Sequence, residues 1–213
     1  MKGVLVIDLQ VDFLECEKGS LAVPGTDKEY VERVEELTKK FKEKGYLIFA
    51  TQDWHPPDHV SFYTNYPGKK PFEMIEIEGR KQVLWPPHCV QGTRGARILI
   101  DNNLFWAIIQ KGRDRRFESY SGFRDEGSNL TELDTVLKLN GIKTLIIYGL
   151  ATDYCVKATA LDAVDLGYEV FLIKDFCRGV SPESTEKALQ ELKEKGITII
   201  EGTDLNLVFD ALP

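Results

Sequence analysis

The stretch KTLIIYGLATDYCVKATALDAVDLGYEVFLIKD, residues 143–175, decides the fold. Its two outer runs, KTLIIYG (143–149) and EVFLIKD (169–175), are apolar at consecutive positions rather than at alternate ones. Strands of that kind are buried on both faces, as parallel sheets require. Parallel neighbours need a crossover connection, usually a helix. The residues between the two runs supply one, with Cys155 near its start.

Working outward, the same pattern repeats. GVLVID (3–8), YLIFAT (46–51), LFWAIIQK (104–111) and ITIIEG (197–202) read as further strands, six in all with the two above. Helical spacing of Tyr30, Val31, Val34, Leu37 and Phe41 predicts a helix over 27–45. Thr26 and Glu29 suit a capping box at its start, and Gly45 suits its end. NLTELDTVLKLNG (129–141) reads as a second helix. SPESTEKALQELKEKG (181–196) reads as another, with Ser181 at the N-cap and Pro182 at the first helical position. Such alternation predicts an α/β protein, a three-layer αβα arrangement around a six-stranded, mostly parallel open sheet. No linker or repeat divides the chain, so residues 1–213 read as one domain. Residues 52–103 interrupt the rhythm with several prolines and little periodicity. A segment of that length without regular structure tends to be functional.

Charge narrows the partners. Lys and Arg total 27 against 34 Asp and Glu, a net of -7. An acidic chain without a basic block argues against nucleic acid or an anionic membrane as the main partner. No apolar run approaches the roughly 18 residues of a membrane span, and MKGVLVIDLQ does not read as a signal peptide. A cytoplasmic setting is expected. Cys16, Cys89, Cys155 and Cys177 form no CxxC pair and read as reduced thiols.

Open α/β sheets bind ligands at the carboxyl ends of their strands. Asp8 ends the first strand, Asp53 lies just past the second, Lys111 ends the third, and Cys155 lies just past the fourth. Any one charged residue there is ordinary; four chemically capable groups at one edge point to a site. A free thiol titrates near about 8.5 and needs a base or a positive field. Lys111 and a helix N-terminus offer the field, and Asp8 can take the proton. Backbone N–H groups of LATDYC suit an oxyanion. The set is equipped for acyl transfer through a thioester. No histidine is placed as the base, because all three lie in the irregular segment.

Those histidines make a second group. Asp53 and His55, two apart in extended chain, point the same way. His88 can complete a set with open positions for water or substrate, and His59 is a further candidate.

Six blocks then carry a resemblance: VIDLQVDF, GSLAVPG, TQDWHPPDHVSF, WPPHCVQGTRGA, QKGRDRRFESYSGF and GLATDYCVKATALDAVDLGYEVFLIKDFCRG. In this order, across residues 4–179, they resemble the nicotinamidases, also called pyrazinamidases, within the isochorismatase-like cysteine hydrolases. The resemblance implies that family's hydrolase fold and metal-dependent conversion of nicotinamide to nicotinate and ammonia, a step of NAD salvage. Pyrazinamide is expected as a second substrate. It implies Asp8, Lys111 and Cys155 as the catalytic triad, with the N–H groups of Ala151 and Cys155 as the oxyanion hole. A cis peptide is implied at Leu150–Ala151. Asp53, His55 and His88 are implied as metal ligands, and His59 matches a position that ligates in some members only. One divalent ion is expected, zinc first, with iron or manganese as alternatives. Phe13 and Trp85 match residues that sandwich the substrate ring, with Tyr154 and Ala151 beside it. Assembly into a homo-oligomer is left open. The nearest rival is a hydrolase of ureido acids, for which Arg94 or Arg113 would anchor a substrate carboxylate. An isochorismatase is disfavoured by the DxH…H set, and a non-catalytic scaffold by the presence of acid, lysine and cysteine together.

Overall fold

In the computed structural model, which describes residues 1–212, the first apolar run forms β1 (Lys2–Ile7), buried from Gly3 onward. Helix α1 (Lys28–Glu43) follows, and Tyr30, Val31, Val34, Leu37 and Phe41 form its buried face. Its N-cap is Asp27, not Thr26: the Asp27 carboxylate accepts the Tyr30 N–H at 2.8 Å. Thr26 is turned inward, accepting the Glu15 N–H and donating to the Val23 carbonyl at 2.6 Å. A carboxylate suits the positive end of a helix, and the hydroxyl serves the preceding loop instead.

Strand β2 (Leu47–Asp53) ends on Asp53 itself. The segment after it is less irregular than its sequence implies, for it contains an antiparallel hairpin, β3 (Met74–Ile77) and β4 (Arg80–Val83). Glu78 and Gly79 turn it with φ of 50° and 77°, the conformation two-residue hairpins favour. Strand β5 (Ala107–Lys111) starts later than its apolar run, because Asn102–Leu104 forms a 3₁₀ turn capped by Asp101. Helix α2 is only Leu133–Leu139. Strand β6 (Thr144–Leu150) is buried throughout. Helix α3 (Lys157–Asp165), strand β7 (Glu169–Arg178) and helix α4 (Pro182–Glu194) follow, with Ser181 capping α4 as its sequence indicates. Strand β8 (Thr198–Ile200) and a short helix not anticipated from sequence, α5 (Leu205–Asp210), end the fold.

The sheet order is β5-β2-β1-β6-β7-β8, and every pairing is parallel. From β1 the chain steps one way to β2; from β6 it steps the other way to β7 and β8. Right-handed crossovers therefore put α1 on one face and α3 and α4 on the opposite face. Helix α5 joins the α1 face, where Phe209 meets Phe41 edge-on at 4.8 Å. The direction of winding reverses between β1 and β6, and a crevice opens there at the carboxyl ends. The two strands approach so closely at that end that a Cβ on Gly149 would lie 2.2 Å from the Ile7 carbonyl oxygen.

Candidate active site

Asp8 follows β1 with φ 45° and no solvent exposure. A non-glycine residue holds that conformation only where its surroundings dictate it. The Oδ1 atom accepts the Thr51 hydroxyl at 2.6 Å, while Oδ2 lies 3.0 Å from Lys111 Nζ without a hydrogen bond of good geometry. Lys111 closes β5 and is likewise buried. Its ammonium donates to Asp53 Oδ1 at 2.5 Å, to the Ser119 carbonyl at 2.8 Å and to Cys155 Sγ at 3.3 Å. One cation thus touches both carboxylates and the thiol.

The electrostatics follow from that contact. Burial opposes the Lys111 charge, but Asp53 and Asp8 outweigh it and hold the ammonium well above the usual lysine range. Burial opposes ionisation of Asp53 too, yet Lys111 and His55 keep its carboxyl far below the ordinary value. At Asp8 burial wins over Lys111 and raises the carboxyl. Burial also pushes the Cys155 thiol well up, with Lys111 pulling against it and Asp8 adding to the rise. Burial thus favours the protonated form of the Cys155 thiol and of the Asp8 carboxyl beside it, and Lys111 opposes both.

Cys155 is not in the first turn of an α-helix, as its sequence setting suggests. It lies in a π-helical turn, Thr152–Val156, ahead of α3. The Ala151 carbonyl accepts the N–H groups of Tyr154 and Val156, both at 3.1 Å, and the Leu150–Ala151 peptide is cis. Asp153 ties this turn to α4: its buried carboxylate accepts the Val180 N–H at 3.0 Å and the Ser184 hydroxyl at 2.5 Å. Nothing in the local sequence signalled that link.

Asp53, His55 and His88 converge, with His55 Nε2 at 3.4 Å and His88 Nε2 at 3.9 Å from Asp53 Oδ2. His55 donates Nδ1–H to the Gly112 carbonyl at 2.9 Å, and His88 donates to the Pro86 carbonyl at 2.8 Å. Each Nε2 is thereby left with a lone pair facing the cluster, the arrangement of a metal-ligating histidine. His55 Nε2 is buried without any hydrogen-bond partner. Two imidazoles and a carboxylate whose donor atoms lie within 4.8 Å of one another fit a divalent cation. Burial holds the His88 ring down at about 4, so it stays neutral and able to ligate. His59 differs. Its Nδ1 accepts the Ser61 hydroxyl at 2.8 Å and its Nε2 donates to the Phe117 carbonyl at 3.0 Å, so both nitrogens are committed to protein partners. Gln10, which the sequence did not single out, positions the cluster. Its side-chain amide accepts the Asp53 N–H and donates to the Asp53 carbonyl, both at 2.8 Å.

Beside these groups lies a cavity of about 200 Å³, lined by Cys155, Ala151, Asp53 and His88 and walled by Phe13, Trp85 and Tyr154. Trp85 meets Tyr154 edge-on at 5.1 Å and donates its indole N–H to the Tyr120 hydroxyl at 3.2 Å. Sequence reasoning missed Phe72, Glu118, Tyr120 and Val180 in the wall. Glu118 and Tyr120 lie in the matched block ending YSGF, the one signal that pointed toward them. No lysine or arginine side chain is among the described lining residues. Arg94 pairs with Glu17, and Arg113 with Glu132 at 2.8 Å, on the surface.

Residues 2–204 match the isochorismatase domain. The chain is 40% identical over 203 residues to the nicotinamidase of Escherichia coli (strain K12), covering 93% of each sequence. Its structure is similar to the Acinetobacter baumanii nicotinamidase/pyrazinamidase, with a TM-score of 0.87 and 38% identity over 96% of this chain and 97% of that one. It is also similar to the pyrazinamidase of Pyrococcus horikoshii solved in complex with zinc. There the TM-score is 0.78 and the identity 42%, over 94% of this chain and 99% of that one.

Proposed function

The chain belongs to the isochorismatase family, and from that membership and the pocket we infer an amidohydrolase that converts nicotinamide to nicotinate and ammonia. Pyrazinamide is a second substrate in this reading, and a thioester on Cys155 is the intermediate. The observation that carries it is the single Lys111 ammonium in contact with Asp8, Asp53 and Cys155 at the wall of an aromatic pocket.

In the proposed reaction Asp8 Oδ2, the carboxylate atom without a hydrogen bond, takes the Cys155 proton. Its raised affinity makes it a stronger base than a free carboxylate. The sulfur, steadied by Lys111, attacks the carboxamide carbon. The N–H groups of Ala151 and Cys155 receive the oxyanion. Asp8 returns the proton to nitrogen as the C–N bond breaks and ammonia leaves. Water then adds to the thioester carbonyl, giving nicotinate and restoring the thiol. Asp53, His55 and His88 would hold one divalent ion, zinc in preference to iron or manganese. When bound, that ion supplies a Lewis acid for the nitrogen of the substrate ring. Phe13, Trp85 and Tyr154 hold the ring itself. Among the described residues no helix is long and apolar enough to cross a membrane. Four free cysteines support a reducing, cytoplasmic setting as part of the same proposal.

The ureido-acid alternative needs a cation for the substrate carboxylate, and the surface pairing of Arg94 and Arg113 removes both candidates. The test is ammonia release from nicotinamide, pyrazinamide and a ureido acid, with metal analysis of the same sample. The first two are expected to react and the third not. Cys155→Ala is expected to lower turnover by roughly 10⁴-fold or more while nicotinamide still binds. Undiminished turnover would sink the nucleophile assignment.

A further inference from the structure

Phe72 breaks two placement rules at once. Its φ is 70°, in the left-handed region that glycine or asparagine normally fills. Its ring is 60% exposed, so burial does not compensate for the backbone conformation. Among the described residues the other non-glycine positions of positive φ are either polar, as at Lys18, Glu78 and Ser128, or buried, as at Asp8 and Cys89. Only Phe72 is both apolar and exposed. Neither local conformation nor core packing accounts for an aromatic residue there.

The pocket does account for it. Phe72 lines the same cavity as Cys155, and its ring stands edge-on to Trp85, with centroids 6.0 Å apart at 84°. Its N–H donates to the Leu84 carbonyl, and the Leu84 N–H returns a bond to the Glu73 carbonyl at 2.8 Å. These bonds close the base of the β3–β4 hairpin directly before Trp85, whose own N–H is held by the Ser61 carbonyl at 2.7 Å. The hairpin thereby fixes two rings in sequence, one buried in the wall and one at the rim.

We propose that Phe72 is a substrate-contacting residue that covers the outer side of a flat heteroaromatic carboxamide and sets the preference for such rings over saturated ones. A bound ring would cover the exposed apolar face of Phe72, and aromatic pairs gain further from edge and offset contacts. The inference rests on the hydrolase reading above.

The test is Phe72→Gly, because glycine suits the backbone at this position. The melting temperature is expected to hold or rise, since strain at φ 70° is relieved. KM for nicotinamide is expected to rise about tenfold, with a smaller change in kcat. As competing ligands, benzamide should lose much of its advantage over cyclohexanecarboxamide. Phe72→Tyr should restore both KM and that advantage. An unchanged KM in a folded Phe72→Gly protein overturns the proposal, and so does a lowered melting temperature with unchanged KM, which would make the ring structural. A wild-type protein that releases no ammonia from nicotinamide overturns the reaction itself, and this inference with it. The two failures are therefore distinguishable.

Discussion

At the reacting end of the proposed site, Asp8, Lys111 and Cys155 stand at the carboxyl ends of β1, β5 and β6. At the end proposed to bind the substrate ring, the pocket-lining Phe13, Phe72 and Trp85 come from a 3₁₀ turn and from either side of the hairpin. The difference is one of tolerance. Buried charges interact strongly over a few ångströms, and an unpaired one is expensive. Their spacing must be rigid, and sheet register supplies rigidity: Asp53 pairs directly with Lys111 across β2 and β5. An apolar wall needs only shape and area, which turns and hairpins can provide.

That contrast is open to attack at its strongest point. Lys111→Met removes the ammonium between two buried carboxylates and is expected to cost about 3–5 kcal/mol by urea unfolding. A variant as stable as the wild type would show that the reacting end is not held by charge. A smaller effect is expected one residue on. At Gly112, with φ 68°, a Cβ would lie 2.4 Å from His55 Cε1. Gly112→Ala should therefore displace the ring and weaken metal binding about 10–100-fold, read as metal per chain after dialysis. Full occupancy would mean that the cluster tolerates movement as the apolar wall does.

The smallest effect per step of the measurement is expected in the pH dependence of stability. Burial holds His59 down at about 3 and His88 at about 4, against 6.5 ordinarily. Between those values the unfolded chain binds protons that the folded one refuses. The contribution of these two rings to the stability of the metal-free protein is therefore full above about 6.5 and falls as pH drops toward 4 and then 3, by at most about 1.4 kcal/mol per pH unit for each ring. His59→Gln should flatten part of that slope in urea titrations across this range. An identical slope would place the proton uptake elsewhere.

Legibility divided along the same line. Consecutive apolar residues in 143–149 and 169–175 reported strands buried on both faces, and the sheet is parallel throughout. Location at strand ends is enough to single out Asp8, Asp53, Lys111 and Cys155 from the sequence. The hairpin was not legible, because its strands are short and only partly buried, so no apolar run marks them. Phe72 was illegible for the same reason: its meaning lies in a backbone angle and a neighbour across the hairpin. The choice of Asp27 over Thr26 as a cap turned on where the preceding loop needed a hydroxyl.

By itself the sequence determined a six-stranded, mostly parallel sheet with helices between its strands and the chemical kit at its edge, because burial patterns and residue types are local properties. Only the tertiary structure decided which groups share a charge. Lys111 reaches Asp8, Asp53 and Cys155 from three other segments of the chain. It also decided that His59 is committed to Ser61 and Phe117, while His55 keeps a buried lone pair. Hydrogen-bond direction and distance between remote residues depend on packing, and packing is a property of the whole fold.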